Sequence, residues 1–103
     1  MEMTVAPLNA IPEGEGRAFT IGAERVAVFR MRDGKVFAVQ GECPHRGGPL
    51  ADGLTGGSTL VCPLHAWKFD LATGQALNGD CVLRTFDARI DARGLIVLTV
   101  PGE

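Results

Sequence analysis

Two runs, Cys43-Pro44-His45-Arg46-Gly47-Gly48-Pro49-Leu50 and Cys62-Pro63-Leu64-His65-Ala66-Trp67-Lys68-Phe69-Asp70, decide how the rest of this chain is read. Reduced to donor atoms they give C-x-H, a sixteen-residue spacer, then C-x-x-H. Each run offers one thiolate and one imidazole, and together they hold both histidines and two of the three cysteines. Two ligands this close in sequence can grip one metal site from a single tight turn. The proline after each cysteine fixes φ at about −65° and stiffens that turn. The four side chains could instead be unrelated core fillers, or they could bind tetrahedral zinc, which takes the same donor set. Zinc-finger spacings pair Cys with Cys and His with His, whereas each pair here is mixed.

Outside these runs the sequence reads as β structure. Residues 5–8 are short and apolar with Pro7, which suits an edge strand. Residues 17–21, 25–30 and 35–40 read as strands, the last two joined by Met31-Arg32-Asp33-Gly34, a hairpin signal. In the third strand Val36, Ala38 and Gln40 share one face and Phe37 and Val39 the other. Residues 51–58 read as a glycine-laden connector. Residues 59–61 lead into the second run and 67–70 leave it as strands. Residues 71–75 and Asn78-Gly79-Asp80 read as turns. Residues 82–90 and 95–100 close the chain as strands around Asp91-Ala92-Arg93-Gly94. No stretch carries a convincing 3.6-residue period, so the expectation is all-β, a barrel-like or sandwich arrangement.

The 103 residues fit one domain, and a net charge of −2 gives no electrostatic case for nucleic acid or an anionic membrane. No apolar run approaches the length needed to cross a bilayer, and the N-terminus lacks the pattern of a signal peptide. Assigning two cysteines to a metal leaves no pair for a disulfide, which points to a reducing compartment and a cytoplasmic location. Cys81 reads as a small core residue, and Asp52, Lys68, Asp70, Asp80 and Arg84 as a solvated surface.

The motif resembles that of Rieske-type [2Fe–2S] proteins over nearly the whole chain. The resemblance implies an all-β fold of stacked antiparallel sheets, a single domain over 1–103, and a cluster-binding subdomain at about 41–82. It implies one [2Fe–2S] cluster as cofactor, with Cys43 and Cys62 on one iron and His45 and His65 on the other, more exposed one. A centre so filled has no open coordination position, which suits one-electron transfer and not catalysis by this chain alone. High-potential members carry two further cysteines, where this chain has Gly48 and Leu64. They also carry Ser and Tyr hydroxyls, where it has Trp67 and Phe69. The expected potential is therefore at the low end of the Rieske range, about −150 mV. Arg46, Pro49, Leu50, Leu64 and Trp67 are expected around the exposed imidazoles, Trp67 alternatively as packing beneath the loop. The resemblance implies a reductase and a terminal oxidoreductase as partners, the chain being a monomer or a subunit of a hetero-complex. The two runs look closer to the small subunit of NAD(P)H-dependent nitrite reductase, with the ferredoxin of a ring-hydroxylating oxygenase as the alternative.

Overall fold

A computed structural model describes residues 2–43, 49–62, 67–77, 79 and 81–100. Among the described residues, nine strands form two antiparallel sheets: β1 (Glu2–Pro7), β2 (Glu15–Ile21), β3 (Glu24–Arg30), β4 (Val36–Gln40), β5 (Leu54–Gly56), β6 (Thr59–Val61), β7 (Lys68–Asp70), β8 (Thr85–Ile90) and β9 (Leu95–Thr99). The larger sheet has the order β1-β9-β8-β4-β3-β2, and the smaller has β5-β6-β7. The smaller sheet is therefore inserted in sequence between β4 and β8, neighbours in the larger one. Short 3-10 helices at Leu8–Ala10 and Leu50–Asp52 are the only helical elements among the described residues.

The strand pairings follow the turn chemistry. β2 and β3 are joined through Gly22, whose φ is +61°, and Ile21 pairs with Glu24. β3 turns into β4 with Arg30 opposite Val36, and the Met31 N–H donates to the Lys35 carbonyl at 2.8 Å. Pro7 ends β1, an edge strand, as its missing N–H requires.

The alternation within β3 and β4 sorts residues into two cores. Val26, Val28 and Ala38 pack with Ile11, Phe86, Ile96 and Leu98. The opposite parity, Ala27, Phe29 and Val39 with Phe37 against them, packs with Leu60 and Phe69 of the smaller sheet. β3 thus has four consecutive buried residues, because both of its faces are covered. Thr55 Oγ1 also donates to the Gly14 carbonyl at 2.7 Å, tying the smaller sheet to the β1–β2 connection.

Several boundaries differ from the sequence expectation. The glycine-laden 51–58 segment contains the end of a 3-10 helix and all of β5, because Leu54 and Gly56 find partners in Val61 and Thr59. β8 starts at Thr85 and not at 82: Val82 pairs with Gln75, and the Leu83 N–H donates to the Gly74 carbonyl at 2.7 Å. Those residues have β character but serve the smaller sheet.

Candidate metal centre

Both ligand runs leave the fold through a neck closed by backbone hydrogen bonds. For the first, β4 ends at Gln40, the Leu50 N–H donates to the Gly41 carbonyl at 3.0 Å, and Glu42 bridges Pro49. Gly41 is in turn anchored to β3, its N–H donating to the Arg25 carbonyl at 2.9 Å. For the second, Val61 pairs with Lys68, and inside that pair the Cys62 N–H donates to the Trp67 carbonyl at 2.7 Å. Each cysteine is the first residue beyond the sheet-like part of its neck.

The two necks meet. Cys43 and Cys62 are 2% and 1% exposed and belong to one core with Phe29, Val39, Leu50, Leu60, Phe69 and Leu83. No disulfide joins Cys43, Cys62 and Cys81. Every member of this core is apolar apart from the sulfurs, and no polar or charged residue is buried among the described residues. Two thiolates in such a setting are costly unless a cation neutralises them, and soft thiolate donors in an apolar pocket suit iron–sulfur or zinc chemistry. The residues present therefore fit a thiolate-bound metal group. His45 and His65, and with them Arg46 and Leu64, lie outside the described residues.

The surrounding positions are partly as expected. Pro49 is exposed, but Leu50 has no exposed surface: the turn at Leu50–Asp52 carries it inward, where it plugs the core beneath the cysteines and cannot form a rim. Trp67 is half-buried, packs against the cysteine core and stacks on Phe69 at 6.5 Å between centroids. Cys81 is half-buried against the same core. Asp52, Lys68 and Arg84 are exposed, and Arg84 pairs with Glu24 at 2.8 Å. Asp80 lies outside the described residues. Gly53 and Gly79 emerge as structural residues that the motif did not flag. In sequence Gly53 reads as part of a glycine-laden connector and Gly79 as part of the Asn78-Gly79-Asp80 turn; neither reading carries the lack of room for a side chain.

Two necks that bring one thiol each to a shared apolar root define a protein suited to a thiolate-bound metal group. The comparisons give the class a family: the Rieske [2Fe–2S] domain matches residues 1–87, and the chain belongs to that family. Its cofactor is one [2Fe–2S] cluster and its work is electron transfer between redox proteins. The chain is 28% identical over 92 residues to the ferredoxin component of a naphthalene 1,2-dioxygenase system from Pseudomonas aeruginosa, covering 87% of this chain and 88% of that one. The ferredoxin of carbazole 1,9a-dioxygenase from Nocardioides aromaticivorans superposes with a TM-score of 0.84 at 29% identity, over 94% and 95% of the two chains. A structure from Mycobacterium tuberculosis, assigned as an NADH-dependent nitrite reductase small subunit, superposes with a TM-score of 0.93 at 23% identity, over 100% and 97%. No helix among the described residues is long and apolar enough to cross a membrane.

Proposed function

We propose that this chain is a low-potential one-electron carrier whose cluster is held by Cys43 and Cys62 on one iron and by His45 and His65 on the other, within a unit spanning about 41–82. The observation that carries this reading is the convergence of Cys43 and Cys62 at one buried root, each at the start of a neck-closed run that also contains a histidine. When bound, the cluster supplies reversible uptake of one electron. The chain's own residues set the terms of that exchange. Leu50, Leu60, Phe69 and Leu83 keep water from the thiolates. No polar side chain is buried beside the sulfurs among the described residues. With no hydroxyl to stabilise the added negative charge there, reduction is harder and the midpoint sits at about −150 mV.

The partner we propose is an oxygenase system, supplied through an NAD(P)H-dependent reductase. Likeness in sequence to a dioxygenase ferredoxin runs over 87% of the chain. A second reading, the small subunit of a nitrite reductase, is favoured by the fold likeness to the Mycobacterium tuberculosis structure and by the two ligand runs. We place the carrier in the cytoplasm on its cysteine usage; recovery in an oxidising compartment would overturn that.

The test is chemical. Protein purified without air should contain iron and acid-labile sulfide in equal amounts and give a paramagnetic signal on reduction. Cys62→Ser should abolish the iron, and His65→Ala should abolish or disrupt the signal. Zinc in place of iron, or full iron retention in His65→Ala, would defeat the ligand assignment. Co-purification with a large siroheme-bearing chain would favour the second partner; reduction by a flavoprotein reductase and reoxidation by an oxygenase would favour the first.

A further inference from the structure

Trp67 is the single tryptophan of the chain and stands two residues after His65, within the second run. Its carbonyl accepts the Cys62 N–H at 2.7 Å, so it forms one side of the neck. Its indole stacks on Phe69 with an interplanar angle of 23° and packs against the core that holds Cys43 and Cys62. The benzo ring lies against Gly79. A Cβ at that position would collide with Cζ3, fall 2.5 Å from Cη2 and 3.0 Å from Cε3. The indole leaves no room for a side chain at Gly79. The described residues before it are pinned as well. The Leu77 N–H donates to the Lys68 carbonyl at 2.7 Å, and the Ala76 N–H to the Cys81 carbonyl at 2.9 Å.

We propose that Gly79 and Trp67 are a positioning pair for the second ligand loop. Gly79 seats the indole by having no side chain, and the seated indole fixes the neck from which Cys62 and His65 depart. It also keeps water from that side of the centre. Water stabilises the negative charge that arrives on reduction, so excluding it holds the midpoint low. This inference rests on the ligand reading above, and it concerns a contact that the four ligands do not make.

Three variants test it: Gly79→Ala, Trp67→Phe and the double variant. In Gly79→Ala the indole is displaced. The tryptophan emission should shift to the red in both iron-loaded and iron-free protein, and the midpoint should rise. A chelator should strip the iron about tenfold faster, the scale that overpacking of this kind produces. Trp67→Phe removes the atoms that meet the new methyl. In that background Gly79→Ala should therefore move the midpoint and the stripping rate by less than half as much. Wild-type emission and midpoint in Gly79→Ala would overturn the proposal, and so would equal shifts in the two backgrounds. Should Gly79→Ala fail to fold, Trp67→Phe alone decides: a raised midpoint and faster iron loss with unchanged β-sheet circular dichroism support the pair, and a wild-type midpoint refutes it. Failure of the ligand reading is distinguishable, because wild-type protein would then take up no iron while the emission comparison still reports on the packing.

Discussion

Gly53 and Gly56 lie three residues apart in one short connection, and the structure assigns them opposite tolerances. Gly53 follows the Leu50–Asp52 turn with an ordinary φ of −72°, yet a Cβ there would run into the Val61 carbonyl and lie 2.7 Å from Leu60 Cδ1. The obstacle includes backbone of β6, which cannot step aside as a flexible side chain can. Gly53→Ala should therefore cost about 1–3 kcal/mol, the usual range for overpacking, read as a lower urea midpoint with an unchanged slope. Gly56 has no heavy atom within 4 Å of its would-be Cβ and no positive φ. Gly56→Ala should stay within about 0.5 kcal/mol of wild type, as surface changes do. Equal losses at the two positions would mean that β5 does not approach β6 as described. In sequence both residues belong to a glycine-laden connector and nothing there separates them, because the reason for Gly53 is its contact with β6, the next strand.

The closing hairpin between β8 and β9 is legible from Asp91-Ala92-Arg93-Gly94 alone, and its chemistry is local. Asp91 Oδ1 accepts the Leu95 N–H at 3.0 Å and the Arg93 N–H at 2.9 Å. The Leu95 bond is the main cause that holds this carboxyl below its ordinary 3.8, helped by the Arg93 N–H and the nearby Arg93 and Arg89 charges. A carboxyl lowered in the folded state contributes stability above its unfolded value, and that contribution fades as pH falls through the folded value. Asp91→Asn keeps an acceptor oxygen but not the charge. It should be less stable than wild type near about pH 6, with the gap closing below pH 3.8. A gap that stays constant with pH would remove the charge from the account. The tie between sheets has no such local signature: Thr55 donates to Gly14, forty-one residues away. Thr55→Val should cost about 1 kcal/mol, and denaturant midpoints would measure it. This is the general division in the fold. The faces of residues 36–40 were readable because parity is written into each strand, and Phe37 and Val39 do share the cysteine core while Ala38 lies in the other. β5, the late start of β8 and the inward turn of Leu50 depend on partners outside their own segments, some only a hairpin away, that no residue pattern within the segment announces. At the centre, the two cysteines are legible from spacing and proline, and packing of Trp67 beneath the loop is one of the two expectations for it, whereas the Leu50 plug and the seat that Gly79 gives the indole are not legible.

At the scale of the whole molecule, the chain keeps two cores with unequal roles. One core, with Ile11, Val26, Val28, Phe86, Ile96 and Leu98, contains no cysteine and draws on β3, β4, β8 and β9. The other contains Cys43 and Cys62 and joins β3 and β4 to the smaller sheet through Leu60 and Phe69. Strands β5, β6 and β7 are three residues each, shorter than strands that persist on their own hydrogen bonds. Their order must come from the core they cover and from whatever the two necks hold. Metal binding in such a setting is folding free energy for the part that supplies the ligands. Stripping the iron should therefore not unfold the protein uniformly. Amides of Leu60, Val61 and Phe69 should lose most of their hydrogen-exchange protection, while those of Val28, Ile96 and Leu98 keep theirs, because local opening follows cooperative units. Exchange measured with and without a chelator distinguishes this from the alternative. Equal loss across both groups would mean that β3 and β4 couple the two cores into one unit. Protection of β6 and β7 that survives iron removal would mean that the apolar plug suffices without the metal. The first pattern would make the larger sheet a permanent frame and the smaller sheet a structure that the cofactor completes. That is the arrangement an electron carrier needs if its ligand geometry is to stay the same in both oxidation states.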